Sequence, residues 1–385
     1  MFKKPHYFNN HLSQGFTALF SGRMMMFMGN GILGLFLPIF LLTKFNYNIG
    51  YVFSYYLIGH FIYAAALPWA AKILNKVGLR RSLRLSVFFN AAVYGCFFLL
   101  DYNFWLFIIL SVVLLTFYRV TFWHPFNTDF AKFTDSGDRG KEVSLIWAAQ
   151  SFLSVVLPVL SGALIVRWGF DFLFIIAITL FLSAFIPFMA LPRTKEKFSW
   201  GYKETVQKFF SKRNKKLIIA NMANGAENAV AIIIWPIFIW QLLDGNFFQV
   251  GVISSLIVLV AVILQLMAGK CADTFDKRNM IRWGSAFYAL GWLVKVFVLT
   301  SFQIFLAGAY HNLTKIFKDT PFDTLNYELM ADRGHYVDEY TVLKEMAVNL
   351  GKVLILLFAI LVALNFGINW TFVLAALASL FINLL

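Results

Sequence analysis

Of the 385 residues, 60% are hydrophobic, 18% aromatic and only 14% charged, with a mean hydropathy of +0.72. A soluble domain is about half apolar and a quarter charged, so this chain cannot cover its surface with polar groups and lipid is its expected solvent. The formal net charge of +14 raises nucleic acid as a partner, and the placement of the charges along the chain then removes it.

The opening MFKKPHYFNNHLSQ is basic but no small-residue cleavage site follows, so the first apolar run reads as a retained span rather than a signal peptide. About twenty apolar residues cross the hydrocarbon core as a helix. Runs of that kind lie at 20–43, 49–69, 82–100, 104–127, 142–166, 170–191, 217–242, 248–269, 280–300, 302–325, 340–365 and 368–385. They are long and continuous, not the short alternating strands of a β-barrel. The expected fold is an all-α polytopic membrane protein with twelve transmembrane helices.

Between the spans, lysine and arginine occupy alternate loops: Lys72, Lys76, Arg80, Arg81 and Arg84; then Lys132, Arg139 and Lys141; then the 192–216 segment; then Lys270, Lys277, Arg278 and Arg282. Basic loops stay cytoplasmic. Both termini are therefore expected on the cytoplasmic side of the cell membrane, and the basicity reflects topology. The two cysteines, Cys96 and Cys271, form neither a disulfide framework nor a metal-ligand spacing.

Subtracting 198 from positions in the second part brings the sequence over itself. Pro236-Ile237-Phe238 falls on Pro38-Ile39-Phe40, Asn228 on Asn30, Gly367 on Gly169, and Lys270, Asp273, Arg278 and Arg282 on Lys72, Asn75, Arg80 and Arg84. The stretch WHPFNTDF at 123–130 repeats its Pro-Phe-Asx-Thr core in DTPFDTLN at 319–326. The expected organisation is a six-helix half at 1–191, a basic cytoplasmic linker at 192–216 and a second, pseudo-symmetric half at 217–385. Parallel halves of this kind place a substrate site near mid-membrane between them.

At this point the chain resembles the major facilitator superfamily along essentially its whole length. The family's loop between helices two and three runs Gly-x-x-x-Asp-Arg/Lys-x-Gly-Arg-Lys/Arg-Lys/Arg. Here AKILNKVGLRR keeps Lys76, Gly78, Arg80 and Arg81, with Ala71 in place of the glycine and Asn75 in place of the aspartate. The second copy, GKCADTFDKRN, keeps Gly269, Asp273, Lys277 and Arg278. SGDRGKEVSL resembles the family's Arg-Gly turn at Arg139-Gly140, and VVLPVLSGALI retains Pro158 and Gly162 of its glycine-proline pattern, with Leu157 and Ser161 replacing glycines. The resemblance implies a transporter. Independently of it, a carboxylate in such a loop meets an arginine or a helix N-terminus across the cytoplasmic seam. Asp273 has that chemistry, whereas Asn75 offers only neutral hydrogen bonds.

Charges inside spans are costly and point to a pathway or a pair. Arg119 lies six residues before Pro125 and Lys315 six before Pro321. At about 1.5 Å per residue, Arg119 sits ~21 Å into a core of ~30 Å. Two cations at matching positions point to an anionic or amphipathic substrate, to a gating pair, or to snorkelling. Asp319 and Asp323 follow Lys315 at helical spacing. Glu227, about ten residues into its span beside Asn228 and near Asn224, is the leading candidate for proton coupling, the alternative being a structural glutamate. Asn30, on which Asn228 falls, is expected to line the same cavity. Lys344, Glu345 and Lys352 mark one face of a later span. Lys295 has no counterpart and reads as snorkelling, and His60 and His311 as packing residues. The aromatic wealth reads as lipid-facing and core packing.

The expected function is a secondary transporter of a small solute working by alternating access, coupled to a proton or other ion gradient or working by simple exchange, as a monomer in the bilayer. No Walker-type loop, HExxH or Gly-x-Ser-x-Gly occurs, so neither ATP drive, enzyme chemistry nor a cofactor is expected. A membrane-embedded sensor or enzyme on a transporter-like scaffold is the alternative reading.

Overall fold

The computed structural model describes residues 14–133, 139–192, 198–272, 277–331 and 337–385. Among the described residues every regular element is helical. In chain order they are α1 (Gln14–Gly34), α2 (Leu37–Lys44), α3 (Ile49–Val77), α4 (Leu79–Phe98), α5 (Phe104–Phe133), α6 (Arg139–Ser183), α7 (Phe185–Met189) and α8 (Tyr202–Phe209). Then come α9 (Lys215–Ala229), a π-turn (Val230–Ile234), α10 (Trp235–Leu242), α11 (Phe247–Ala272), α12 (Lys277–Val296), α13 (Ser301–Ala331), α14 (Val337–Phe366) and α15 (Thr371–Phe381).

By length and composition, six stretches are able to cross a bilayer: Ile49–Val77, Phe104–Phe126, Ala148–Met189, Lys215–Leu242, Phe247–Gln265 and Glu339–Phe366. The pair α1 and α2, bent by 44°, makes a seventh. Ala148–Met189 has 42 residues. At ~1.5 Å per residue it is about twice as long as a hydrocarbon core of ~30 Å. It is not one rod, because Gly169 interrupts α6 at φ 77°, ψ −178°.

Several expected spans are broken, and proline is the reason. Pro38 opens α2 after the bend and Pro236 opens α10 after the π-turn. A proline has no N–H for the carbonyl four residues earlier, so the ladder opens one turn upstream. Pro125 and Pro321 do not end their helices: both lie inside, with α5 running to Phe133 and α13 to Ala331. One missing bond does not stop a long helix held on several sides. The carbonyl that Pro321 leaves unbonded, that of Phe317, lies against Gly284 of α12, at 2.7 Å from where a Cβ would stand.

The N-terminal helices pack as α1 on α6 and α4 on α5 and α6, the C-terminal ones as α9 on α14 and α12 on α13 and α15. The two groups meet through α3 on α14 and α6 on α11. Small residues permit the closest approaches, as expected where lipid supplies no hydrophobic drive between helices. A side chain at Gly225 would strike the carbonyl of Val348, and one at Gly351 that of Met222, so α9 and α14 touch by their backbones. Gly162 and Gly251 do the same for α6 and α11.

Contacts between the groups occur at both faces. At the face opposite the basic loops, Tyr47 stacks on Trp240 at 6.2 Å and Phe247 meets Phe36 and Phe170. At the basic face, Leu67 and Leu74 of α3, Leu343 and Met346 of α14, and Phe198 and Trp200 ahead of α8 form one apolar cluster.

Candidate functional site

Three polar clusters lie within this apolar body. The first is at the seam of α3, α5 and α14. His60 of α3 is 3% exposed, and its Nδ1 lies 2.8 Å from Oδ1 of Asn349 on α14. The same nitrogen lies 3.3 Å from a guanidinium nitrogen of Arg119 on α5. The Arg119 guanidinium also sits 6.0 Å from the ring centre of Tyr63. Among the described residues Arg119 makes no ion pair. The amide of Asn349 donates to the carbonyl of Glu345 at 2.8 Å, which fixes its oxygen towards His60. Glu345, Asn349 and Lys352 fall at spacings of four and three, so they share one face of α14.

The second cluster is inside the C-terminal helices. Lys318 is fully buried and its ammonium donates to Glu227 Oε1 at 2.7 Å, to Asp319 at 2.7 Å and to Asn224 at 3.1 Å. The Tyr288 hydroxyl donates to the other Glu227 oxygen at 2.6 Å. Lys315 reaches Asp319 only at 3.9 Å, and both are about a third exposed. Glu227 is 2% exposed and held by these two donors. Asn228 is half-buried beside it. His311 lies against Tyr288 and Trp292, with ring centres 4.2 and 4.4 Å away.

The third is a hub around Asn30. Its amide donates to the Met26 carbonyl at 2.8 Å and to Tyr118, while its oxygen accepts from Asn90 and Tyr94 at 3.4 Å each. These contacts tie together α1, α4 and α5. Asn30 and Asn228 therefore belong to different clusters.

At the basic face, Asn75 brackets the backbone of Phe198, its amide donating to the carbonyl at 2.8 Å and its oxygen accepting from the N–H at 2.9 Å. The next residue, Ser199, donates from both backbone and hydroxyl to Glu339 of α14. Gly78, at φ 83°, separates α3 from α4. Arg80 and Arg84 donate to the last carbonyls of α7, Phe188 and Met189, where cations suit the helix dipole. Lys76 and Arg81 are exposed. In the second copy Gly269 lies in the last turn of α11, Lys277 opens α12 and Arg278 is exposed, while Asp273 lies outside the described residues.

The structure corrects one expectation. Lys295 does not snorkel: it is 2% exposed, with its ammonium 4.1 Å from the ring centres of both Trp235 and Trp292. Sequence reasoning missed Lys318, the closest partner of Glu227. The signal was present, because Lys318 is one turn from Lys315, but it falls outside the four-residue ladder of Lys315, Asp319 and Asp323. It also missed Arg23 of α1, whose guanidinium carbon lies 4.8 Å from the Trp123 ring centre and near Phe27, Phe122 and Phe126. Among the described residues no group of three or more histidine, cysteine or acidic side chains is placed to hold a metal.

Long apolar helices that pass the membrane more than once, and that bury charges where two groups of helices meet, define a multi-pass membrane transport protein. The family comparison agrees: residues 19–222 match the model of the Major Facilitator Superfamily, and the chain belongs to that family. Membership makes it a transporter of small solutes and not an enzyme. Among solved structures it is similar to one described as "Crystal structure of peptide transporter POT in complex with sulfate". The TM-score is 0.70 at 11% sequence identity, over 98% of this chain and 94% of that one. That likeness speaks for the fold. A comparison with curated proteins by sequence gives no match.

Proposed function

We propose that this transporter moves a small anionic solute by alternating access between two six-helix halves, 1–191 and 217–385, joined by the basic linker 192–216. In this reading the bent pair α1 and α2, the two parts of α6 on either side of Gly169, and α9 with α10 count as single spans of a twelve-span set. Backbone geometry supports the repeat. The left-handed residues Asn46 and Asp244, Tyr47 and Gly245, and Gly169 and Gly367 fall at the same offset of 198 as the sequence matches. The helix-opening prolines Pro38 and Pro236 share it. The alternating basic loops support cytoplasmic termini in the cell membrane, and the repeat supports a working monomer.

The observation that carries the anionic reading is Arg119, a deep cation at the seam of the halves that touches an imidazole and a tyrosine ring and, among the described residues, makes no ion pair, with Glu345 of α14 acting on it only from beyond ion-pair distance. A cation in such a site is costly without a counter-charge, and a substrate anion supplies it. Lys315, whose own carboxylate is shared with Lys318, is its counterpart. Glu227 is the coupling residue in this scheme, because a proton there releases Lys318 to Asp319 alone.

A thermal-stability screen on purified protein tests the substrate class, since a ligand raises the Tm by mass action. Organic and inorganic anions should stabilise the wild type, and Arg119→Ala should abolish that shift. Stabilisation by neutral or cationic solutes only would sink the anionic reading. For coupling, Glu227→Gln should lose gradient-driven accumulation in proteoliposomes while keeping exchange, and full accumulation by that variant removes Glu227 from the scheme.

A further inference from the structure

The stretch Phe198-Ser199-Trp200 comes from the basic linker, yet it is not laid over the surface. Phe198 is 3% and Trp200 6% exposed, and both stand in one apolar cluster with Leu67 and Leu74 of α3 and Leu343 and Met346 of α14. Polar contacts fix the stretch from both sides. On α3, Asn75 takes both backbone groups of Phe198. On α14, one carboxylate oxygen of Glu339 accepts from the Ser199 backbone at 2.9 Å and from its hydroxyl at 2.6 Å. Glu339 is 1% exposed, and among the described residues Ser199 supplies its hydrogen bonds. Next in the chain, α8 touches the same two helices, with Phe209 buried in the cluster. A connecting segment ordinarily runs over the surface, because a buried one carries backbone groups that need partners. Here the partners are supplied from two helices, α3 and α14.

We propose that residues 198–209 are a strap that closes the basic-face exit of the Arg119 site, and that opening this face requires the strap to let go of α3 or of α14. The inference rests on the alternating-access reading above and gives one of its two exits a gate. The apolar cluster connects the strap to that site: it continues along α3 to Tyr63 and on α5 to Val120, and Tyr63 is the ring beside the Arg119 guanidinium. Buried side chains therefore run from the Arg119 seam to the basic face, and the linker supplies the outermost of them. A segment bonded to Asn75 on one half and to Glu339 on the other cannot keep both when the halves part. Its hydrogen bonds and the burial of Phe198 and Trp200 are complete only while the face is shut, so they favour the shut state. An equilibrium is biased by whatever interacts differently with its two states, and the strap does so without touching the solute.

The test follows access to buried positions in purified full-length protein carrying Cys96→Ser and Cys271→Ser, labelled with a bulky charged maleimide. Leu67→Cys, or Met346→Cys as a second reporter, reads the basic face, since both residues are buried in the cluster with the strap. Phe36→Cys, beside Phe247, reads the opposite face. With the strap intact the basic-face reporters should label slowly. Asn75→Ala removes two hydrogen bonds and should raise their rate by about tenfold, with the Phe36→Cys rate unchanged or lower. Asn75→Asp should act in the same direction, because a carboxylate cannot donate to the Phe198 carbonyl. Ser199→Ala, at an exposed position outside the apolar cluster, should raise the rate severalfold and carries the test if the Asn75 variants do not fold. Fast labelling with the strap intact, or a rate unchanged in the folded variants, overturns the strap and leaves alternating access standing. Rates that rise together at both faces overturn the strap and the alternating-access reading alike.

Discussion

Replacing Lys318 by methionine is the sharpest test of the C-terminal cluster. The substitution keeps the length and apolar stem but removes an ammonium that is 0% exposed and donates to Glu227, Asp319 and Asn224 at 2.7–3.1 Å. Asp319, one-third exposed, retains Lys315 and water. Glu227, 3% exposed, retains among the described residues the Tyr288 hydroxyl as its one hydrogen-bond donor, with Lys295 and Lys352 acting on it from further away. Removing one member of a buried pair costs about 3–5 kcal/mol, because the other charge is left uncompensated. At ~2–4 °C per kcal/mol for a domain the size of one half, Lys318→Met should lower the Tm by on the order of 10 °C. The double variant Lys318→Met with Glu227→Gln removes both charges and should recover most of that loss. The assay is Tm by size-exclusion recovery after heating in detergent, for the wild type, both single variants and the double. Losses that simply add would mean Glu227 is compensated by something other than Lys318, and the account of this cluster would be wrong.

Three further outcomes follow from the packing. Gly351→Leu should abolish the folded monodisperse peak, and Gly225→Ala should lower the Tm, because the new side chains meet the carbonyls of Met222 and Val348 and overpacking costs ~1–3 kcal/mol or more; wild-type stability for both would refute the backbone contact. Lys295→Met should leave the Tm unchanged or higher, since the desolvation of the ammonium exceeds the ~2 kcal/mol of its cation–π contacts; a fall like that of Lys318→Met would reveal a carboxylate partner. Asn75→Ala should speed tryptic cleavage within the basic linker by severalfold, as both hydrogen bonds to Phe198 go; an unchanged rate would mean that the linker is held without them.

The broad architecture was legible because one physical demand dominates it: backbone groups in lipid must be satisfied within the segment, so long apolar runs become helices. The breaks were less legible. Pro38 and Pro236 were visible, but whether a proline splits a span or is carried through it, as Pro125 and Pro321 are, depends on neighbours such as Gly284 that no local pattern reveals. Glu227 could be found because a carboxylate in an apolar run is conspicuous. Lys318 could not be matched to it, since their pairing joins positions 91 residues apart and depends on how α9 meets α13. Asn75 read as a weakened aspartate. Its amide instead offers a donor and an acceptor at once, which a carboxylate cannot, and that is what bracketing the backbone of Phe198 requires.

The fate of the buried cations then separates scaffold from path. Lys318 is committed, with two carboxylates and an amide around one ammonium. Arg23, Lys295 and Arg119 are stabilised differently, by aromatic faces: Trp123 and three phenylalanines, Trp235 with Trp292, and Tyr63. A ring face attracts a cation by ~0.5–2 kcal/mol, enough to hold it and too little to neutralise it. The 18% aromatic content therefore does more than fill space and face lipid. It holds positive charge inside the membrane where, among the described residues, no carboxylate stands at ion-pair distance from these three cations. Of the three, only Arg119 lies within hydrogen-bond distance of a group, His60, that also bonds across the seam to Asn349. Charge and interface meet at one nitrogen, so the seam of α3, α5 and α14 is where the path should be sought, with the Glu227 cluster as its proposed coupling site.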